Sequence, residues 1–150
     1  GSAIAHCPTS NTFIGSGLFD MQGLRDREAT IPVGLATDVA GGSSLSMFTT
    51  MRTAYEIAQL RGYSLHPAKA WHLATVGSAT AMRIADKVGN LAPGMEADLI
   101  IIDLTSTNLI RRRVARAENI WDVLFAQMIL ADDRAIAATY VAGEPVYRQD

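Results

Sequence analysis

A single cysteine, Cys7, stands in the whole chain. It excludes an internal disulfide and fits a reducing compartment, most simply the cytoplasm. No apolar run approaches the roughly 18 residues that suggest a membrane span. The start shows no charged stretch followed by an apolar one, so no targeting segment is expected. Charge of either sign is sparse: 19% of residues are charged and the net charge is −2. With a pI near 5.9, no strong attraction to nucleic acid or to an anionic membrane is expected. Histidine is also scarce. The three present are His6, His66 and His72, and none forms a His-x-His pair. His66 and His72 are not at the i, i+3 or i, i+4 spacing that puts two ligands on one helix face, so neither receives a metal role.

What remains is an ordinary globular composition, 49% apolar over 150 residues, enough for one sizeable core. The central feature is the stretch 31–44. Val33 to Ala36 are apolar or small and stop abruptly at Thr37 and Asp38, and Gly41-Gly42-Ser43-Ser44 then turns the chain. A buried strand that delivers a carboxylate at its C-terminal end, just before a helix, is where α/β barrels place catalytic groups. An Asp after a strand also simply caps or turns the chain, and spacing alone leaves both readings open.

Ser2 to Cys7 reads as a short buried strand, and Pro8 to Asn11 as the loop leaving it, because proline cannot donate to a sheet ladder. Gly15-Ser16-Gly17 reads as a flexible stretch between apolar anchors, and 24–30 as a short solvated helix or turn. The connection of about 25 residues to the strand at 33–37 suggests a parallel crossover. Ser43 or Ser44 is expected to cap a helix with Leu45, Phe48, Met51, Tyr55 and Ala58 on one apolar face and Gly62 as its stop. A second helix opens at Pro67 and continues brokenly past Gly77 to Ile84. Beyond 89 the pattern turns more β. Residues 89–94 are turn chemistry and 97–103 a β-prone run. Asn119 caps a helix striped by Trp121, Leu124, Phe125, Met128 and Ile129, and a hairpin closes around 142–144.

Other candidates have plain alternatives. His6 is expected to be a hydrogen-bonded packing residue, and Cys7 a buried packing residue rather than a nucleophile. Arg111-Arg112-Arg113 with Arg116 reads as a solvated loop, since no aromatics interleave it. Asp132-Asp133-Arg134 reads as a polar helix end. Neither Gly41-Gly42 nor Gly15-Ser16-Gly17 has Walker or dinucleotide spacing.

The segment 89–103, with Pro93-Gly94 and the run Ala97 to Asp103, resembles the return from the barrel to a small β-sandwich in the amidohydrolase superfamily. Thr139 to Val146 resembles the closing hairpin of that sandwich. Ala5 to Asn11 followed by Ile14 to Phe19, and Thr37 to Met47 with its Gly-Gly-Ser-Ser continuation, are similar to the seventh- and eighth-strand regions of its guanine deaminase branch. Asp132 to Ile136 also resembles that branch.

The resemblance implies an α/β fold: the C-terminal part of a (β/α)8 barrel (its last two strands and following helices) over 1–88. Over 89–150 it implies C-terminal strands of a β-sandwich, with one helix near 119–131. It further implies a zinc-dependent deaminase acting on guanine, in which Asp38 is a metal ligand and catalytic proton acceptor. Ser10 and Asn11 match the motif, with ordering of their own loop favoured and substrate contact the alternative. The His-x-His, two further histidines and a glutamate expected of the full family are absent. The resemblance therefore implies an inactive fragment when alone, associating with the missing N-terminal part or with copies of itself. Other amidohydrolases acting on purines or triazines, and a non-catalytic module, remain alternatives.

Overall fold

The computed structural model describes residues 1–26 and 31–149. The second half of the segment 24–30 lies outside the described residues. Strand β1 (Ile4–His6), shorter than the expected 2–7 and buried only at His6 because Ala5 faces outward, leads into helix α1 (Pro8–Phe13) and then α2 (Met21–Arg25). Strand β2 (Val33–Leu35) follows and pairs in parallel with β1, His6 opposite Leu35. The parallel crossover is as the long connection predicts, but the second strand ends at Leu35 rather than at 37. Pro8 to Asn11 is not a loop. Pro8 occupies the first turn of α1, where its missing N–H has no helical partner to lose and its fixed φ suits the helix.

Helix α3 (Met47–Leu60) is capped by Ser46, whose side chain accepts from the Thr49 amide. The expected caps, Ser43 and Ser44, lie too early, although the Ser44 hydroxyl accepts from Ser46 N. Leu45 accordingly falls outside the helix and is 74% exposed, while Phe48, Met51 and Ala58 are buried. Gly62, at φ +82, takes the left-handed position that stops the helix, as expected.

Helix α4 (Pro67–His72) runs into a π turn (Leu73–Gly77) and then α5 (Ser78–Ala81). This wide turn lets the helix cross β2 closely. A Cβ on Gly34 would lie 2.6 Å from Ser78 Cα, and one on Gly77 would lie 2.9 Å from the Val33 carbonyl oxygen. The Ser78 hydroxyl is within bonding distance of both Leu35 O, at 2.9 Å, and Leu73 O, at 2.8 Å. Small residues at the crossing thus hold the end of β2 in place.

Strand β3 (Leu99–Ile102) pairs antiparallel with β4 (Ile136–Val141), which pairs with β5 (Glu144–Arg148) across the expected hairpin. Between β3 and β4 lie α6 (Asn108–Val114) and α7 (Ile120–Leu130). The arginine run expected as a loop is the body of α6. Thr107 caps it by accepting from Ile110 N, and Ile110 is buried while Arg111, Arg112 and Arg113 face solvent. Asn119 caps α7 by accepting from the Trp121 and Asp122 amides. Asp132–Arg134 forms a short polar turn closed by their own ion pair.

One hydrophobic core joins these helices to β2. It contains Leu35, Phe48, Met51, Ala58, Leu73, Ile110 and Met128. Tyr55 meets Phe125 edge-on at 5.2 Å, and the Trp71 indole N–H donates to Leu124 O at 3.2 Å. Trp121, expected on the buried stripe, is 44% exposed, whereas Ala126 and Gln127 are fully buried. Helix α7 is apolar almost all round, so periodicity alone does not select its inward face.

Candidate functional site

The chain leaves β2 through Ala36 and Thr37 and reverses at Asp38, whose φ of 47 lies in the left-handed region. Aspartate is among the few non-glycine residues that enter this region readily. The amides of Gly41 and Gly42 both donate to Asp38 O and close the turn. The Asp38 side chain is exposed, and its Oδ2 accepts from the Ser10 hydroxyl at 2.6 Å.

Ser10 is 1% exposed in the first turn of α1. Its neighbour Thr9 reaches the Thr37 carbonyl oxygen with its own hydroxyl at 3.4 Å. The two glycines are required by closeness. A Cβ on Gly41 would stand 2.7 Å from Ser10 Oγ and 3.0 Å from Asp38 Oδ2. One on Gly42 would collide with the Thr37 carbonyl oxygen and meet Thr9 Oγ1 at 3.1 Å. The loop is therefore shaped around the Ser10–Asp38 pair.

The structure brings together two of the three residues singled out from sequence, Ser10 and Asp38. Asn11 is partly buried in α1, and its backbone amide bonds to Cys7 O. Sequence reasoning paired Ser10 with substrate or with its own loop and missed its carboxylate partner, 28 positions away. A local pattern contains no signal for that distance.

His6 packs as expected, 3% exposed with its ring 4.8 Å from that of Phe19. It differs from the expected hydrogen-bonded residue in that its buried Nδ1 has no partner among the described residues. Burial lowers the His6 pKa to about 4, because the low-dielectric surroundings penalise the cation. Cys7 is only partly buried, not fully. Burial and, secondarily, the Asp38 charge push its thiol up, which removes thiolate and argues against a nucleophile. His66 caps α4 through Nδ1, which accepts from Ala68 N at 3.2 Å. His72 is exposed beside a small cavity that also touches Lys69 and Gly77.

Among the described residues no three His, Cys, Asp or Glu side chains come together to hold a metal. A hydrolytic metal site needs about three protein ligands and an open position. Asp38 fits as one oxygen ligand, with Oδ2 held by Ser10 and Oδ1 receiving no donor among the described residues; the chain does not complete the set. A larger open cleft of about 1110 Å³ lies between α3, α4 and the antiparallel sheet, lined by Phe48, Trp71, Leu99, Ile136 and Tyr140. Neither Ser10 nor Asp38 borders it.

Comparison with known proteins matches this geometry to a family. The guanine deaminase of Escherichia coli (strain K12) is 40% identical over 149 residues, which is 99% of this chain but 34% of that protein. Its solved structure superposes with a TM-score of 0.95 over the same share. A guanine deaminase from C. acetobutylicum with bound guanine is 26% identical, with a TM-score of 0.79 over 97% of this chain and 34% of its own. An adenosine deaminase from Xanthomonas campestris with bound zinc is 27% identical, with a TM-score of 0.77 over 95% of this chain and 31% of its own. The chain thus spans about a third of the length of the relatives it matches. The family model described as the amidohydrolase family matches residues 1–146, and the chain belongs to that family.

Proposed function

We propose that this chain is the C-terminal part of a guanine deaminase that converts guanine and water to xanthine and ammonia. The observation that carries the reading is Asp38: a carboxylate in the turn that leaves β2, fixed by a buried hydroxyl, in a chain 40% identical to a guanine deaminase along nearly all its length. Residues 1–88 then form the end of a (β/α)8 barrel, consistent with the parallel β1–β2 pair. Residues 89–150 contribute the antiparallel strands of a β-sandwich, consistent with β3 to β5. The cytoplasm is the proposed location, resting on the lone cysteine. No helix among the described residues is long and apolar enough to cross a membrane.

The metal in this reading is zinc, as in the X. campestris structure, with the remaining ligands outside the chain. Bound zinc supplies a water whose pKa falls from 15.7 to about 7. The chain's own contribution is the Asp38 carboxylate, which would serve as one oxygen ligand and would take the proton that the attacking water must lose. Of Ser10 and Asn11, Ser10 is the less suited to touching guanine: its hydroxyl donates to Asp38 and the residue is 1% exposed, whereas Asn11 is only partly buried in α1.

In the intact enzyme carrying this chain, zinc-loaded protein is expected to turn over guanine in preference to adenine, adenosine and triazines. Asp38→Ala should lower kcat by about 10²–10⁴-fold, the usual contribution of a positioned acid–base group. Preference for adenosine or a triazine would replace guanine with the neighbouring substrate. Full activity in Asp38→Ala would remove Asp38 from the chemistry.

A further inference from the structure

We infer that Ser10 is the positioning residue for Asp38, and that Gly41 is glycine because the pair needs its space. The inference rests on the reading of Asp38 as a ligand and proton acceptor. The Ser10 hydroxyl donates to Asp38 Oδ2 at 2.6 Å from a side chain that is 1% exposed. A short bond from a neutral donor to a carboxylate is stronger than an ordinary neutral pair. It also fixes the orientation of the carboxylate. Ser10 uses one of about four lone-pair sites, so the rest of the group stays available to a metal and to a proton.

Ser10 cannot easily drift. It sits in the first turn of α1, behind Pro8 and Thr9, both buried, and Thr9 is tied to the carbonyl of Thr37 beside Asp38. Asp38 in turn is held by its left-handed backbone and by the Gly41 and Gly42 amides on its carbonyl. Two elements far apart in sequence thus aim one carboxylate. A hydrogen-bond partner behind a metal ligand commonly sets affinity and activity by 10–100-fold. The Gly41 position offers an independent handle. A methyl group there would fall 2.7 Å from Ser10 Oγ and 3.0 Å from Asp38 Oδ2, so both side-chain ends must move apart while the hydroxyl remains in the protein.

The test uses the intact enzyme and four proteins: wild type, Ser10→Ala, Ser10→Thr and Gly41→Ala. It measures zinc affinity by chelator competition, kcat and KM for guanine, and the thermal midpoint. Ser10→Ala is expected to lose about 10–100-fold in kcat and about tenfold in zinc affinity, with KM within twofold of wild type. Ser10→Thr should recover most of both, and Gly41→Ala should reproduce the Ser10→Ala loss. A Ser10→Ala protein within twofold of wild type in kcat and zinc affinity would overturn the assignment. So would a folded Ser10→Thr protein that stays as impaired as Ser10→Ala. If Ser10→Ala fails to fold, Gly41→Ala decides: wild-type zinc affinity and kcat there refute the pair. Zinc-loaded wild type that leaves guanine untouched would sink the substrate reading instead, and zinc affinity in the variants then judges Ser10 alone.

Discussion

His6 ends β1 with its ring against Phe19 and a buried Nδ1 that has no partner among the described residues. Its pKa of about 4 in the fold lies below the ordinary 6.5. Between these values the unfolded chain binds a proton that the folded chain refuses, so stability falls as pH drops from 6.5 toward 4 and is unaffected above 6.5. The full loss is about 3 kcal/mol at 1.36 kcal/mol per pH unit. Replacing His6 with Phe removes this term, and urea unfolding from pH 8 to pH 4 should show a shallower acid decline in the variant. An equal decline in both proteins would place the acid sensitivity elsewhere. A second residue with a defined cost is Gly42. Its missing Cβ faces the Thr37 carbonyl oxygen, a backbone atom that cannot rotate away. Gly42→Ala should therefore cost about 1–3 kcal/mol through forced backbone displacement, measured as a lowered denaturant midpoint. At this scale the sequence was legible where chemistry is local. Asp38 stood out because an apolar run ended on it. Ser10 did not, because its partner lies 28 positions on and only the folded crossover brings them together.

Among the elements, helix starts separate what was readable from what was not. Asn119 capped α7 as its type and place predicted. At α3, three serines compete at 43, 44 and 46, and only geometry selects Ser46, which accepts from the Thr49 amide. Ser46→Ala should cost about 1 kcal/mol, the usual worth of such a cap, whereas Ser43→Ala should be near neutral; urea denaturation of both variants checks the choice. Equal losses would mean that the cap is shared. Helix α1 is not legible in the sequence because Pro8 is both a strand breaker and a good first helical residue, and only the fold selects the second property. Helix α6 was missed because three adjacent arginines outweighed Ile110, one apolar side chain that is buried to 1% exposure. The π turn leaves no simple sequence mark. Its cause is the tight crossing of Gly34 by Ser78, a tertiary contact that overrides the regular helical period.

Across the whole molecule, surface and edges are in excess of what the chain covers. The parallel sheet has two strands, β1 and β2, and among the described residues neither has a second partner. Parallel strands are ordinarily buried within larger sheets, and a two-strand sheet is marginal by itself. The antiparallel sheet leaves β3 and β5 as edges. Around the 1110 Å³ cleft stand Leu45, Met82, Leu91 and Ile100, at 74%, 63%, 80% and 46% exposure. Open strand edges and large apolar patches drive association in water. The isolated 150-residue chain should therefore sediment as concentration-dependent oligomers and enhance the fluorescence of an apolar dye. Lysine at Leu45 and Ile100 together should shift it toward monomer, because the charges oppose contact on both sides of the cleft. Zinc titration of the same protein should show less than one tightly bound ion per chain, since among the described residues no cluster of His, Cys, Asp or Glu offers three ligands. A monodisperse, dye-silent monomer would show that the exposed surface is satisfied within the chain itself.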